Sequence, residues 1–294
     1  MIYSIENEHL KISINQIGAE LCKLESAATG KQFLWEGDPA IWGSFAPVLF
    51  PVIGAIKDQF ANINGQKFEV PRHGFVRNNP QVMLSKQSTN SLTFQLKYDD
   101  DTLKIYPFRF LFSITYTLVK NQVEVKHEIT NLGEEELLFS VGGHPAFKCP
   151  IEDDEKYEDY FIEFEKIENE PTWLLDNNGL VLNESKPLIE NSKVIPLDHS
   201  LFENDALIFK SLKSNKVSLK NKKSQHVITV SYKDFPYLGI WAKPNGNFVC
   251  IEPWLGIADG ADSDHDFSTK EGVLTLDSKD NYVATYSIRI QEGS

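Results

Sequence analysis

The run Phe248-Val249-Cys250-Ile251-Glu252-Pro253-Trp254 holds a carboxylate where the pattern is otherwise apolar. Alternate residues of an extended chain share a face, so Phe248, Cys250, Glu252 and Trp254 point one way and Val249 and Ile251 the other. An ionised carboxylate among aromatic and sulfur neighbours is unfavourable unless partners surround it, and it commonly responds by holding its proton to higher pH. That makes Glu252 a candidate general base. The plain alternative is a carboxylate at a sheet rim paired with a surface lysine, since structural ion pairs perturb carboxylates as well.

Three more polar islands interrupt apolar stretches: Pro71-Arg72-His73-Gly74-Phe75-Val76-Arg77, Ser140-Val141-Gly142-Gly143-His144-Pro145-Ala146-Phe147, and Glu203-Asn204-Asp205. A histidine beside glycine has little shielding and lets a ligand approach the backbone, which singles out His73 and His144. The structural alternative is a loop histidine making one backbone hydrogen bond. Two histidines and two carboxylates also compose a zinc or iron donor set, but no local pair of the His-x-x-x-His kind is present, and acid–base work is the stronger reading. Asp259, Asp262, Asp264 and Asp266 lack EF-hand spacing and read as a solvated acidic loop. There is no phosphate-binding glycine loop, nucleophile elbow or dinucleotide fingerprint, so no cofactor and no metal are expected.

These islands must be held by strands. Leu10, Ile12 and Ile14 alternate with polar residues, as do Leu92, Phe94 and Leu96, and residues 108–118 are large and apolar at every even position. Val123, Val125, His127 and Ile129 share one face, which makes His127 a hydrogen-bonded sheet histidine. Asn64-Gly65 marks a hairpin, and Pro244-Asn245-Gly246 joins residues 237–241 to the Glu252 strand as another. Residues 151–200 are acidic and turn-rich and predict irregular excursions from the sheet, apart from an extended piece at 160–164. Helical periodicity is scarce, and no internal repeat or composition break marks a second domain. The expected architecture is therefore one all-β antiparallel sandwich over residues 1–294 with few short helices.

A net charge of −13 argues against nucleic acid and anionic membranes as partners and favours a small neutral or locally steered ligand. The start of the chain lacks a basic, apolar leader, and no run reaches the length of a membrane span, so a cytoplasmic protein is expected. Cys22, Cys149 and Cys250 are too few and scattered for a disulfide framework and predict reduced core residues. No residue pattern specifies an oligomeric state.

The ordered set His73-Gly74, Gly143-His144-Pro145, Asp205 ahead of Ala206-Leu207-Ile208-Phe209, and Cys250-Ile251-Glu252-Pro253-Trp254 resembles the aldose 1-epimerase (galactose mutarotase) superfamily, and within it the LacX-type branch. The resemblance spans nearly the whole chain and implies a galactose mutarotase-like β-supersandwich with a sugar in an open cleft. It also implies an isomerase that interconverts α and β hexose anomers with no cofactor. On this resemblance Glu252 is the general base, His144 the general acid, His73 a second histidine on the ring or anomeric oxygen, and Asp205 a grip on sugar hydroxyls. Where the family usually presents an arginine, this chain has Ala55; Lys57 and Arg77 are the candidate substitutes. Trp254, Trp241, Phe75 and Phe147 are candidates to stack on the sugar, with core packing their commoner fate. A hexose 6-phosphate held by Arg72, Arg77 and Lys57 is the alternative substrate, and a sugar-binding protein without turnover the alternative function.

Overall fold

A computed structural model of the chain describes residues 1–293. The period-two segments are strands, and most of them join one fifteen-stranded antiparallel sheet. Residues 108–118 supply the strand Phe110–Val119, which pairs along its whole length with Gln122–Asn131. Phe110, Phe112, Ile114, Tyr116 and Leu118 are all buried; each such side chain contributes about 1.5–3 kcal/mol by leaving water. The last strand, Asn281–Gln291, lies between Gln122–Asn131 and Val227–Ser231. Asn64 and Gly65 have φ of 50° and 76° and turn Phe60–Ile63 into Gln66–Glu69, as a two-residue hairpin loop requires. A three-stranded sheet, Ile2–Glu6, Leu10–Asn15 and Glu20–Ser26, covers part of the core with Leu10, Ile12, Ile14, Leu21 and Leu24.

Helix is minor. Among the described residues there is one α-helix, Asp100–Ile105, started by Asp99, whose side chain accepts from the N–H groups of Asp101 and Thr102. No helix among the described residues is long and apolar enough to cross a membrane. The three cysteines are buried and unpaired.

Two expectations are corrected. Residues 151–200 are not irregular: they carry two sixteen-residue strands, Tyr160–Leu175 and Val181–Pro196, paired as a hairpin. Register shifts between Glu163 and Glu168, and again between Trp173 and Leu175, break the alternation that would have revealed them. His127 is not hydrogen-bonded. It is packed against Phe112, Phe235 and Tyr286 with both ring nitrogens unpartnered, and burial pushes its pKa down to about 3, which keeps it neutral.

At one end of the large sheet the strand order is Val48–Leu49, Gly142–Gly143, Phe248–Trp254, Tyr237–Trp241, Leu207–Phe209 and Tyr160–Leu175. The polar islands at 140–147, 203–205 and 252 are distant in sequence, and this order makes them neighbours.

Candidate active site

Every residue of Phe248–Trp254 is buried, Glu252 included at 1% exposure. Its hairpin partner Tyr237–Trp241 places Gly239 opposite Glu252. A Cβ on Gly239 would fall 2.4 Å from Cη2 of Trp254, so the missing side chain is what lets the indole lie over the neighbouring strand. On the other edge Gly142 pairs with Trp254 and Ala146 with Cys250, which sets His144 across from Glu252. His144 Nε2 lies 3.2 Å from Glu252 Oε2, while Trp42 stacks on the imidazole with ring centroids 5.1 Å apart.

The electrostatics follow from burial. Desolvation and then the charge of Asp205 raise the Glu252 carboxyl well above its ordinary range, against the pull of the Arg72 and Arg77 charges. Desolvation lowers His144 to about 3. Burial thus favours the neutral form of each side chain. The 3.2 Å contact is not an aligned hydrogen bond, since Glu252 Oε2 has no hydrogen-bond partner and neither has the Trp254 indole N–H. Acid–base pairs of this kind often align only with substrate between them.

His73 comes from a loop outside the sheet and is tied to another. Its N–H donates to Gly54 O, and its Nδ1 accepts from Gly54 N–H at 3.1 Å. A ring nitrogen that accepts a backbone N–H carries no proton, so neutral His73 has its hydrogen on Nε2 and is a donor there. Burial, and then the neighbouring His144, push its pKa well below the usual histidine range. The two rings meet edge to face at 5.7 Å. His73 and Asp205 both hold left-handed backbone, at φ 65° and 74°. Such conformations cost on the order of 1–3 kcal/mol each and gather at functional sites.

Asp205 Oδ2 lies 3.8 Å from Arg72 Nη2. The same guanidinium fills the space beside Gly179, where a Cβ would be 2.9 Å from Nη1. Glu252, His144, His73, Asp205, Arg77 and Trp254 all line one cavity of about 620 Å³, within the range of small-molecule sites. A neighbouring cavity of about 430 Å³ shares Arg72 and Arg77 but contains none of the acid–base side chains, so the site belongs to the larger one.

The remaining expected residues lie elsewhere. Lys57 does not reach the cavity: its Nζ donates to Ser263 O at 2.6 Å and its N–H to Asp259 Oδ2 at 3.0 Å. Phe75 packs against Phe50, Tyr106 and Phe110, and Phe147 is fully buried, so neither offers a face to the cavity. Ala55 lines a separate small cavity that also touches Arg72. Asp259 is not solvated; it is 4% exposed and pairs at 3.0 Å with buried Lys270. Sequence reasoning missed Trp42, Lys243 and the turn residues Asp176, Asn177 and Gly179, all on the cavity wall. Trp42 lies in a segment without periodicity, and the turn belongs to the hairpin whose strands the register shifts conceal.

Of the metal donors weighed from sequence, His144 and Glu252 come together, and Cys250 joins them: one donor atom of each lies within 4.8 Å of the others. A nitrogen, a sulfur and an oxygen are the donor types of a zinc-type ion.

The chain was compared with known proteins. A family model described as aldose 1-epimerase matches residues 1–263. The plasmid-borne protein LacX of Lactococcus lactis subsp. lactis is 32% identical over 299 residues, covering 99% of each chain. A galactose mutarotase related enzyme from Lactobacillus acidophilus superposes with a TM-score of 0.95 at 35% identity, covering 100% of this chain and 98% of that one. A galactose mutarotase-like protein from Lactobacillus casei ATCC 334 gives 0.93 at 27% identity, covering 99% and 100%.

Proposed function

The chain belongs to the aldose 1-epimerase family, a carbohydrate epimerase fold that takes a sugar, and on that premise we propose that it interconverts the α and β anomers of a free hexose. The observation that carries this reading is the buried Glu252–His144 pair, 3.2 Å apart on the wall of a cavity that also presents His73 and Asp205.

Glu252, ionised when sugar is bound, takes the proton of the C1 hydroxyl. The C1–O5 bond breaks, its electrons go to O5, and O5 takes a proton from His144. The resulting aldehyde rotates about C1–C2, and the reverse transfers close the ring on the other face. His73, with its hydrogen on Nε2, donates to a sugar oxygen and orients the ring. Asp205 and Arg72, on the wall of the same cavity, hold other hydroxyls. Acid and base each supply on the order of 10²- to 10⁴-fold.

The proton count supports the same reading. The reaction needs one proton on the pair, and burial favours the protonated carboxyl and the unprotonated imidazole. With closed sugar that proton is on His144 and the pair is charged; after opening it is on Glu252 and the pair is neutral. A dry site favours the neutral arrangement, and so favours ring opening.

A hexose 6-phosphate is the second reading, because Arg72, Arg77 and Lys243 are cations on the cavity wall. Carboxylates weigh against it: Arg72 faces Asp205, and Glu203 and Asp176 share the wall. Polarimetry on freshly dissolved α-galactose, α-glucose and α-glucose 6-phosphate tests both. The expected result is catalysed mutarotation of the free hexoses, with the phosphate ester slower. Spontaneous rates for all three, with sugar binding still seen by calorimetry, would make this a binding protein instead.

A further inference from the structure

We propose that His144, Cys250 and Glu252 form a binding site for a soft divalent cation of the Zn2+ or Cd2+ class, and that its occupation ties up the acid and base on the wall of the sugar cavity. The three donors sit on hydrogen-bonded neighbours in the sheet. Cys250 and Glu252 are two apart on one strand, and His144 is carried across from them between the Gly142–Trp254 and Ala146–Cys250 pairings. Their donor atoms already lie within 4.8 Å of one another, so little backbone movement separates this arrangement from a coordination shell. Three protein ligands with a fourth position open is the pattern of zinc sites that also bind a small molecule.

The donor types select the ion. Thiolate and imidazole suit zinc and cadmium and disfavour magnesium and calcium, which want oxygen alone. Charge balance favours the same class: one thiolate and one carboxylate neutralise a divalent ion, so the buried complex carries no net charge. Binding releases the thiol and carboxyl protons to solvent. His144 and Glu252 line the cavity, which gives the ion its way in, whereas Cys250 is fully buried and off the cavity wall. Trp42 stacked on His144 holds the imidazole in place. An ion bound here engages both the base and the acid of the proposed reaction, so it inhibits. The ion site itself does not depend on the epimerase reading; the inhibition does.

The test is titration of the full-length protein with Co2+ as a spectroscopic stand-in for zinc. The expected result is a thiolate-to-cobalt charge-transfer band with intense tetrahedral bands, suppressed by competing Zn2+. Cys250→Ser and Cys250→Ala should remove the charge-transfer band and weaken binding by more than the roughly ten- to hundredfold that losing a partner outside the ligand set produces. In parallel, Zn2+ should stop mutarotation by the parent protein, a chelator should restore it, and the Cys250 variants should keep basal turnover while resisting zinc. Absence of the charge-transfer band, or its survival in both Cys250 variants, overturns the site. A parent protein that shows the cobalt bands but no mutarotation without metal would leave the site standing and count against the epimerase reading alone.

Discussion

Two glutamates are equally hidden from water in this molecule, and they are hidden in opposite ways. Glu168, at 0% exposure, accepts from the N–H of Lys213 at 3.2 Å, the N–H of Ser214 at 2.8 Å and the hydroxyl of Ser214 at 2.6 Å. Glu252, at 1%, has an oxygen with no hydrogen-bond partner, a neutral imidazole beside it and a cavity in front. The first carboxylate is satisfied and pins a turn. The second keeps hydrogen-bonding capacity that no protein group fills. Burial therefore does not mark a functional carboxylate; burial with unfilled hydrogen-bonding capacity, facing a cavity, does.

The contrast is broken most directly by exchanging the expected losses. His144→Gln should lower the catalysed mutarotation rate on the order of 10²- to 10⁴-fold with little change in melting temperature. Glu168→Ala should leave kcat/KM unchanged but destabilise the fold by about 1–3 kcal/mol for each donor left unpaired, as read by denaturant titration. A Glu168 variant that loses turnover while staying folded would erase the distinction.

A smaller effect is expected at His73, which donates rather than transfers a proton. His73→Ala should reduce kcat on the order of 10²-fold, the usual loss of one preorganised donor, with the pH profile unmoved. A shifted pH profile would make His73 a proton carrier.

The pH profile itself is the next refinement. Between about pH 3, where His144 gains a second proton for the pair, and the raised value of Glu252, the pair holds one proton. The kcat/KM of the parent should therefore run level through 6.5, where an ordinary histidine titrates, and fall only on the alkaline side as Glu252 ionises. An inflection near 6.5 would mean that His144 is solvated. The smallest effect is on stability. Glu252 keeps its proton above 4.5 when folded and loses it there when unfolded, so parent stability declines as pH rises through that window. Glu252→Gln should thus be more stable than the parent at neutral pH, and the gain should vanish below 4.5.

Much of the site was legible because its strands obey simple alternation. The Glu252 strand and its partner are flanked by an evident turn, and one carboxylate among seven buried residues stands out. What stayed hidden has physical causes. The hairpin of Tyr160–Leu175 and Val181–Pro196 is long, bulged and largely exposed on one face, so the period of two fades beyond Phe164, and its turn on the cavity wall was lost with it. Lys57 was misplaced because spacing does not reveal direction: Asp58 and Gln59 turn left-handed at φ 51° and 61°, and the lysine side chain leaves toward Ser263. Asp259 looked solvated within an acidic run because its partner, Lys270, lies eleven residues away on the far side of a loop.

The most direct test of the central claim is anomer exchange of galactose, followed by NMR, with the parent and with Glu252→Gln, alongside calorimetric galactose binding to both. The account expects the parent to speed exchange between the α and β signals, and the variant to bind galactose with similar affinity while exchange returns to the spontaneous rate. A variant that exchanges the anomers as fast as the parent would contradict it.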